Sequence, residues 1–235
     1  MSNLISYYDK KKFINNVFVY ASGMHFLKNF GNTENEIKFK YLKINRKIKI
    51  YKENHSPSNL EFTKILNKLV FYFKKDKIDY IFVVGDRIES YAATLAAHFS
   101  NIKIFHAGGG NITLGSYDNI YRYNISNLSF IHFATSKNNY KNLVKLNTIN
   151  KKNIKFTGSL AVDSIYKFLK NKKSNRNNSK PFLNSKYILL SFHPSTAIKE
   201  DLGSFINQFI KKAISKKLKI IITYPNNDND YKSII

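Results

Sequence analysis

Several residues able to do chemistry directly follow or precede short apolar segments of the chain. They are Asp86 after the apolar run 78–84, His106 before the glycines 108–110, and Asp118 followed four residues later by Arg122. If the apolar segments form a parallel sheet, their carboxyl ends meet at one edge, where open α/β sheets bind ligands. Carboxylates, an imidazole and a guanidinium near bare glycine amides suit an anionic ligand. These residues therefore predict a small-molecule site, suited to a ligand that bears phosphate.

Asp86 has two interpretations. Gly85 has no side chain, so the backbone can turn there and present the Asp86 carboxylate to a ligand. Alternatively, Asp86 precedes the predicted helix 88–99, and an aspartate at that position can cap a helix by accepting backbone N–H bonds. The spacing alone leaves both open.

His106 and the glycine triplet are equally ambiguous. A histidine titrates near neutral pH, so His106 is a candidate general acid or base. Histidines at strand ends also serve as structural residues. Gly109 and Gly110 are candidates for substrate binding through their N–H groups, together with Asn111 after them. A plain flexible turn explains the triplet as well.

Asp118 and Arg122 are four residues apart and would share one face of a predicted helix near 118–128. They can form an ordinary surface ion pair, which contributes little to stability. At the edge of a sheet they could instead supply a carboxylate for proton abstraction and a guanidinium for phosphate.

Three further positions are weaker candidates for substrate binding. His193 follows the predicted strand that starts at Tyr187, again at a carboxyl end. Gly158 and Ser159 precede a predicted helix and could offer N–H groups to an anion, or form a simple strand-to-helix turn. His25, shortly after Ser22-Gly23, has the lowest weight.

Periodicity predicts how the chain positions these residues. Strands are expected at 17–21, 78–84, 102–105, 130–134, 154–156, 187–191 and 218–223, and helices at 57–75, 88–99, 118–128, 137–146 and 202–216. The continuous apolar run 78–84 is typical of a strand buried on both faces. The alternation of strands and helices predicts an α/β fold with Rossmann-like, mainly parallel sheets.

The polar, charged and aperiodic stretch 171–180 predicts a linker between two domains. The expected division is an N-terminal Rossmann-like domain at 1–170, a linker at 171–185 and a C-terminal domain at 186–235. Two strands and one helix after the linker are fewer than a domain usually holds, so the second domain is expected to be incomplete.

Composition narrows the function classes. The chain has 235 residues with no cysteine, which excludes disulfides and thiolate metal sites. It lacks an apolar run long enough to span a bilayer and a signal-peptide pattern, so a cytoplasmic protein without a membrane partner is expected. The net charge of +24 raises the alternative of nucleic-acid binding. The lysines are scattered along the chain rather than gathered in a stripe with aromatics, so a solvated basic surface is favoured.

An ordered set of short motifs resembles the hydrolysing UDP-N-acetylglucosamine 2-epimerases, including those of sialic-acid and legionaminic-acid pathways. The motifs are Ser22-Gly23-Met24-His25, Phe30-Gly31-Asn32-Thr33, Gly85-Asp86-Arg87, His106 with Gly109-Gly110, Asp118-x-x-x-Arg122, Leu128-Ser129, His132-Phe133, Thr157-Gly158, Asp163, His193-Pro194 and Thr223 to Asp228. The resemblance covers nearly the whole chain.

This resemblance implies a glycosyltransferase-B-type fold of two domains and a UDP-sugar as the partner, with no metal or redox cofactor. Family members eliminate UDP across C1–C2 of the sugar and add water to give the 2-epimeric free sugar. By position, Asp86 and Asp118 would be the acid/base carboxylates, while Arg122 and His193 would bind substrate or phosphate. A homo-oligomer is a further expectation.

The chain also departs from the family pattern. Many members read His-Ile-Glu-Gly-Gly-Glu where this chain reads His106-Ala107-Gly108-Gly109-Gly110-Asn111, so both acidic positions are lost. The resemblance further implies that the family's first strand would precede Met1 and that its serine-rich phosphate loop would follow Ile235. An alternative function is therefore a nucleotide-sugar-binding protein without turnover.

Overall fold

The structure is a computed structural model that describes residues 17–37, 43–52, 58–172, 186–193, 201–226, 228 and 231–235. Its contacts divide the chain into two compact units, Met1–Ser164 and Ile165–Ile235. The division falls inside a helix, Leu160–Lys172. The domain boundary after residue 170 stays a prediction. Residues 171 and 172 of the predicted linker are helical, and the rest of it lies outside the described residues.

The first unit alternates strands and helices. Its elements are β1 Val19–Ser22, β2 Ile44–Ile48, α1 Asn59–Lys75, β3 Tyr80–Val84, α2 Ile88–Phe99, β4 Lys103–Ala107, α3 Asp118–Leu128, β5 Ile131–Ala134, α4 Lys137–Val144 and β6 Ile154–Phe156, followed by α5 Leu160–Lys172 at the boundary. Short 3-10 turns cover Gly23–Phe26, Lys28–Phe30, Thr33–Glu36 and Lys151–Asn153. The second unit has β7 Tyr187–Leu190, α6 Leu202–Ser215, β8 Lys219–Ile222 and a 3-10 turn at Tyr231–Ile234.

The sheets are parallel throughout the described part of the chain. One sheet has four strands in the order β3-β4-β5-β6, and the pairs β1-β2 and β7-β8 form separate two-stranded sheets. In the four-stranded sheet Val84 pairs with Ala107, and Ala107 pairs with Phe133. Because all four strands run the same way, the turns after them lie at one edge of the sheet. This edge carries Asp86 and the glycine triplet.

The main core packs helices against this sheet. Its buried members come from β2, α1, β3, α2, β4, α3 and the residue before β4: Ile48, Ile65, Leu69, Phe73, Val83, Ala92, Ala96, Ala97, Ile102, Ile104 and Ile125. A smaller cluster of Ala134, Leu143, Ile149 and Ile154 fixes α4 against β5 and β6. Together the two clusters anchor α3 and α4, the helices on either side of the glycine turn.

Two expectations from the sequence need correction. The run 78–84 predicted a strand buried on both faces, but Tyr80 and Val84 are exposed. β3 ends the strand order of its sheet, which leaves part of its surface uncovered. The strand β2 was not predicted at all, because its sequence Ile-Asn-Arg-Lys-Ile lacks an apolar run. Its Arg46 forms an ion pair with Asp76 at the end of α1.

Candidate active site

Asp86 lies in the turn between β3 and α2, immediately after Gly85. Gly85 has φ +74°, a left-handed conformation that glycine adopts without strain. The Asp86 carboxylate is part-exposed and forms an ion pair with Arg122 of α3. The N-cap of α2 is Arg87, without a side-chain capping bond. The carboxylate is thus directed toward α3 instead of capping its own helix.

Arg122 is a buried guanidinium that connects several parts of the site. Its side chain is 4% exposed. Besides Asp86, its Nη1 donates to the Asn111 carbonyl at 3.0 Å and to Asn119 Oδ1 at 2.7 Å. Nη2 also donates to Thr113 Oγ1 at 3.4 Å, whereas Nε is buried without a hydrogen-bond partner. A buried cation held by a carboxylate and three neutral oxygens is rigidly oriented.

Asp118 begins α3 and bonds to Ser116, whereas its spacing suggested Arg122 as its partner. Its Oδ2 accepts a hydrogen bond from Ser116 Oγ at 2.8 Å, and its backbone N–H donates to the same hydroxyl at 3.1 Å. The ion pair of Arg122 is made with Asp86 across the sheet edge, and none with Asp118 occurs within the described residues. The half-buried Asp118 carboxylate therefore remains partly open to a ligand.

His106, at the end of β4, is completely buried. Its Nε2 lies 2.9 Å from the Gly85 carbonyl, and its Nδ1 lies 3.1 Å from Ser126 Oγ. A carbonyl only accepts, so Nε2 carries the proton of the neutral ring. Nδ1 and the Arg122 carbonyl, which lies 2.9 Å from Ser126 Oγ, share the single proton of the Ser126 hydroxyl. Burial is the main cause that lowers the pKa of His106 to about 4, and the nearby His132 and Arg122 act in the same direction, so the ring is neutral at pH 7.

With both nitrogens engaged inside the protein, this geometry gives His106 a positioning role. It ties the turn that carries Asp86 to the helix that carries Arg122. Proton transfer by His106, one of the two roles open from the sequence, stays a prediction.

The glycine triplet lies between α3 and α4, and its packing explains two of its members. A Cβ on Gly109 would stand 2.6 Å from Ser126 Oγ and 3.1 Å from His106 Nδ1. A Cβ on Gly110 would run into the Asn139 carbonyl of α4, and Gly110 also has φ +80°. Both positions exclude a side chain because helices pack tightly there. A role for their N–H groups in substrate binding remains a prediction.

The other candidates of the first unit are placed as follows. The Asn111 side chain is exposed, and its carbonyl accepts from Arg122. Gly158 has φ +79° with open space around it, and Ser159 Oγ accepts from the Ala161 N–H at 3.3 Å at the start of α5. Since β6 is three strands away from β3, Gly158 lies about 14 Å from the Asp86 turn. His25 is exposed, with Nδ1 2.8 Å from Thr33 Oγ1.

His193 belongs to the second unit, after β7. Its exposed ring accepts a hydrogen bond at Nδ1 from the Asn226 N–H at 3.2 Å, which joins the turns after β7 and β8. Ser191 Oγ and Thr223 Oγ1 lie 3.0 Å apart at the same edge. With Nδ1 accepting, the neutral ring carries its proton on Nε2, which can donate to an anion.

Sequence reasoning missed Asn119 and Ser126, which hold Arg122 and His106. Asn119 adjoins Asp118 at the start of a helix, where asparagine side chains often bond to the backbone, and that preference was the available signal. The sequence contains no comparable signal for Ser126, because a serine within a helix is common.

The described residues contain no group of three or more histidines, aspartates or glutamates close enough to hold a metal ion. Among the helices that the structure describes, none is long and apolar enough to cross a membrane.

Comparison with known protein families identifies the family of this chain. The profile of the family described as "UDP-N-acetylglucosamine 2-epimerase" matches residues 9–235. The chain is a member of the UDP-N-acetylglucosamine 2-epimerase family. The resemblance inferred from its motifs is thereby confirmed.

Two curated relatives in this epimerase family carry names that specify a substrate. The GDP/UDP-N,N'-diacetylbacillosamine 2-epimerase (hydrolyzing) of Campylobacter jejuni is 30% identical over 217 residues, which are 90% of this chain and 56% of that protein. The UDP-N,N'-diacetylbacillosamine 2-epimerase (hydrolyzing) of Legionella pneumophila is 29% identical over 88% of this chain and 55% of its own length. The chain thus spans little more than half the length of these relatives.

Solved structures of family members share the fold. The Neisseria meningitidis UDP-GlcNAc 2-epimerase bound to UDP-GlcNAc has a TM-score of 0.72 at 24% identity, covering 93% of this chain and 60% of that one. The Methanocaldococcus jannaschii UDP-GlcNAc 2-epimerase in complex with UDP-GlcNAc and UDP has a TM-score of 0.65 at 23% identity, over 84% and 54% of the two chains. The predicted α/β fold class, parallel Rossmann-like sheets of glycosyltransferase-B type, is confirmed.

Proposed function

We propose that this epimerase-family chain acts on a UDP-N-acetylhexosamine, from which it eliminates UDP and releases the 2-epimeric free sugar. The observation that carries the proposal is the pair of carboxylates at one sheet edge. Asp86 is held by the buried Arg122, and Asp118 is held by Ser116 at the start of the same helix as Arg122. Two carboxylates at one sheet edge can serve as the two proton-transfer groups that a 2-epimerisation needs.

The reaction is written in two steps. In the first, one carboxylate removes the C2 proton, C1=C2 forms, and the C1–O bond breaks as UDP leaves with the electron pair. In the second, a water oxygen bonds to C1 and loses a proton to one carboxylate, while a protonated carboxylic acid gives a proton to C2 on the opposite face, so that C2 is inverted. We assign these proton transfers to Asp86 and Asp118, without dividing the two steps between them.

The remaining candidates have supporting roles in this proposal. Arg122 orients Asp86 and contributes positive charge near the departing phosphate. The family resemblance assigns phosphate binding to His193, and its Nε2 is the available donor because its Nδ1 accepts from the Asn226 N–H. Backbone N–H groups of Gly109 and Gly110 are further substrate contacts.

The proposed substrates follow from the names of the relatives. UDP-N,N'-diacetylbacillosamine is named for the Campylobacter and Legionella proteins, and UDP-N-acetylglucosamine for other family members. We propose a UDP-sugar with a 2-acetamido group and a product such as N-acetylmannosamine or its diacetamido analogue. Such free sugars are the expected precursors of sialic or legionaminic acids.

A second candidate function is binding of the nucleotide sugar without turnover. The segment Gly108 to Asn111 has no carboxylate, and the exposed Asn111 side chain cannot take up a proton at neutral pH. If the family's carboxylate in this segment is essential, the chain would bind UDP-sugar and release nothing.

Incubation in deuterated water separates these functions. The purified chain is mixed with each UDP-sugar, UDP release is measured by chromatography, and the free sugar is analysed by NMR. The proposal expects a 2-epimeric sugar that carries deuterium at C2 after incubation in deuterated water. In water labelled with oxygen-18, the same sugar should carry the label at C1. Saturable UDP-sugar binding without UDP release would favour the second function.

Two variants test the assignment of the carboxylates. Asp86→Asn and Asp118→Asn keep the size of each side chain but remove its ability to accept a proton. Both should abolish release while UDP affinity changes little. As a control, Asp79→Asn alters an exposed carboxylate just before β3, at the opposite end of that strand from Asp86, and should leave turnover unchanged. Full turnover in Asp118→Asn would remove Asp118 from the mechanism.

A further inference from the structure

The side chain of Asn119 uses all of its hydrogen-bonding capacity within the candidate site. Its Oδ1 accepts from the Thr113 N–H at 2.9 Å and from Arg122 Nη1 at 2.7 Å. Its Nδ2 donates to the Thr113 carbonyl at 2.6 Å and to the Ser116 carbonyl at 3.1 Å. One amide thus joins the turn between the glycines and α3 to the buried guanidinium.

These contacts connect Asn119 indirectly to both candidate carboxylates, Asp86 and Asp118. Arg122 is held through its two terminal nitrogens alone, since its Nε has no partner, and one of those nitrogens bonds to Asn119. The other pairs with Asp86. On the second side, Asn119 fixes the backbone at Ser116, whose hydroxyl donates to Asp118.

The amide group is chemically specific for this position. Two of its four partners are carbonyls, which need a donor, and the other two are N–H groups, which need an acceptor. An aspartate of the same size would set a second acceptor oxygen against the Thr113 and Ser116 carbonyls. It would also attract Arg122 more strongly and compete with Asp86 for it.

We propose that Asn119 is a positioning residue that sets the direction of the Asp86 carboxylate through Arg122 and the placement of Asp118 through the 113–116 turn. This inference rests on the proposed function for its catalytic consequence. Its structural part, the ordering of Arg122 and of the turn, does not depend on turnover.

The catalytic test compares Asn119→Asp and Asn119→Ala with wild type for kcat and KM. Displacement of a catalytic group by about 1 Å lowers rates up to roughly 100-fold, so kcat should fall about 10- to 100-fold with KM little changed. The matched control is Asn127→Ala on the same helix. Its side chain meets Thr148 Oγ1 at 2.7 Å and is exposed, so both constants should remain as in wild type.

A double-mutant cycle tests whether the effect passes through Arg122. In an Arg122→Lys background, Asn119→Ala should lower kcat much less than it does in wild type, because contacting residues in one network are non-additive. Full additivity, or an unchanged kcat in Asn119→Ala, would overturn the proposal.

Two readouts do not require turnover. Hydrogen exchange at the Thr113 amide should accelerate about tenfold in Asn119→Ala, since that N–H loses its acceptor. The NMR signal of the Arg122 Nε–H should shift or broaden, while Asn127→Ala leaves both unaltered. If the wild-type chain releases no UDP, the proposed function fails, and these readouts alone decide the ordering role. Unchanged exchange and an unchanged arginine signal would refute it.

Discussion

Acidification should destabilise the first unit through two buried histidines. His106 and His132 are paired neighbours on β4 and β5, and they are 0% and 1% exposed. Burial lowers the pKa of His132 to about 4 from its ordinary 6.5. Burial also lowers the pKa of His106 to about 4; His132 and Arg122 act in the same direction, while the hydrogen bond to the Gly85 carbonyl opposes them.

The sign of the effect follows from proton binding. In the unfolded chain these histidines bind a proton below pH about 6.5, whereas in the folded protein they do so only near pH 4. Between these values the unfolded state holds more protons, so the free energy of unfolding decreases as the pH falls. The slope is about 1.4 kcal/mol per pH unit for each histidine.

From pH 7 to pH 5 this slope acts over about 1.5 units, which gives about 2 kcal/mol for each histidine and at most about 4 kcal/mol for the pair. A typical domain has only about 5–15 kcal/mol of stability, so the loss is measurable. Asp76 and Glu61 have lowered pKa values, so their contributions are lost at lower pH than this window.

The assay is urea unfolding followed by circular dichroism at half-unit intervals from pH 7 to pH 5. Hydrogen exchange of peptides covering β4 and β5 assigns the loss to this sheet. His132→Leu should reduce the slope by about half, since one titrating group is gone. It also removes a buried Nδ1 that has no hydrogen-bond partner. His98→Gln, at an exposed position on α2, is the matched control. A stability that stays constant from pH 7 to pH 5, or a wild-type slope in His132→Leu, would refute the reasoning.

Three further predictions concern single positions. Asn111→Asp restores a carboxylate beside the site and should raise kcat several-fold in the UDP-release assay; no gain would show that the missing carboxylate does not limit the rate. Gly110→Ala should lower the free energy of unfolding by about 2–4 kcal/mol in urea, because its Cβ meets a carbonyl. Gly158→Ala shares the positive φ in open space and should lose only about 1–2 kcal/mol, and equal losses would contradict the packing argument. Asp76→Asn removes the charge that pairs with Arg46 and should lower the urea unfolding midpoint, whereas an unchanged midpoint would make the ion pair dispensable.

The order of strands and helices was largely predictable because periodicity records which residues pack. The strand 154–156 and the helices 88–99 and 118–128 have the predicted bounds. The strand β2 was missed because its stability comes from pairing with β1 and from the Arg46–Asp76 ion pair. Such contacts join residues far apart in sequence, and no local pattern reports them.

The same limit applies to the site. Spacing correctly brought Asp86 and the glycines to one sheet edge, but it suggested Asp118 as the partner of Arg122. A helix-face pair of this kind is weak, whereas a buried guanidinium requires a close counter-charge, and Asp86 supplies it from across the turn. The need of the buried Arg122 guanidinium for a close counter-charge therefore explains why it pairs with Asp86.

The residue types that suggested ligand contacts in the sequence also build the frame behind the site. His106 bonds to Gly85 and Ser126, and Gly109 leaves room for both the imidazole and that hydroxyl. A histidine, a serine and a glycine therefore fix the distance between the Asp86 turn and α3. Because the His106 and Ser126 side chains are fully buried, changes to this frame should alter the direction of Asp86 even where they remove no group that contacts a ligand. A loss of activity at His106 or Gly109 would thus be insufficient evidence for substrate contact, and only a change in pH profile or in KM would separate the two roles.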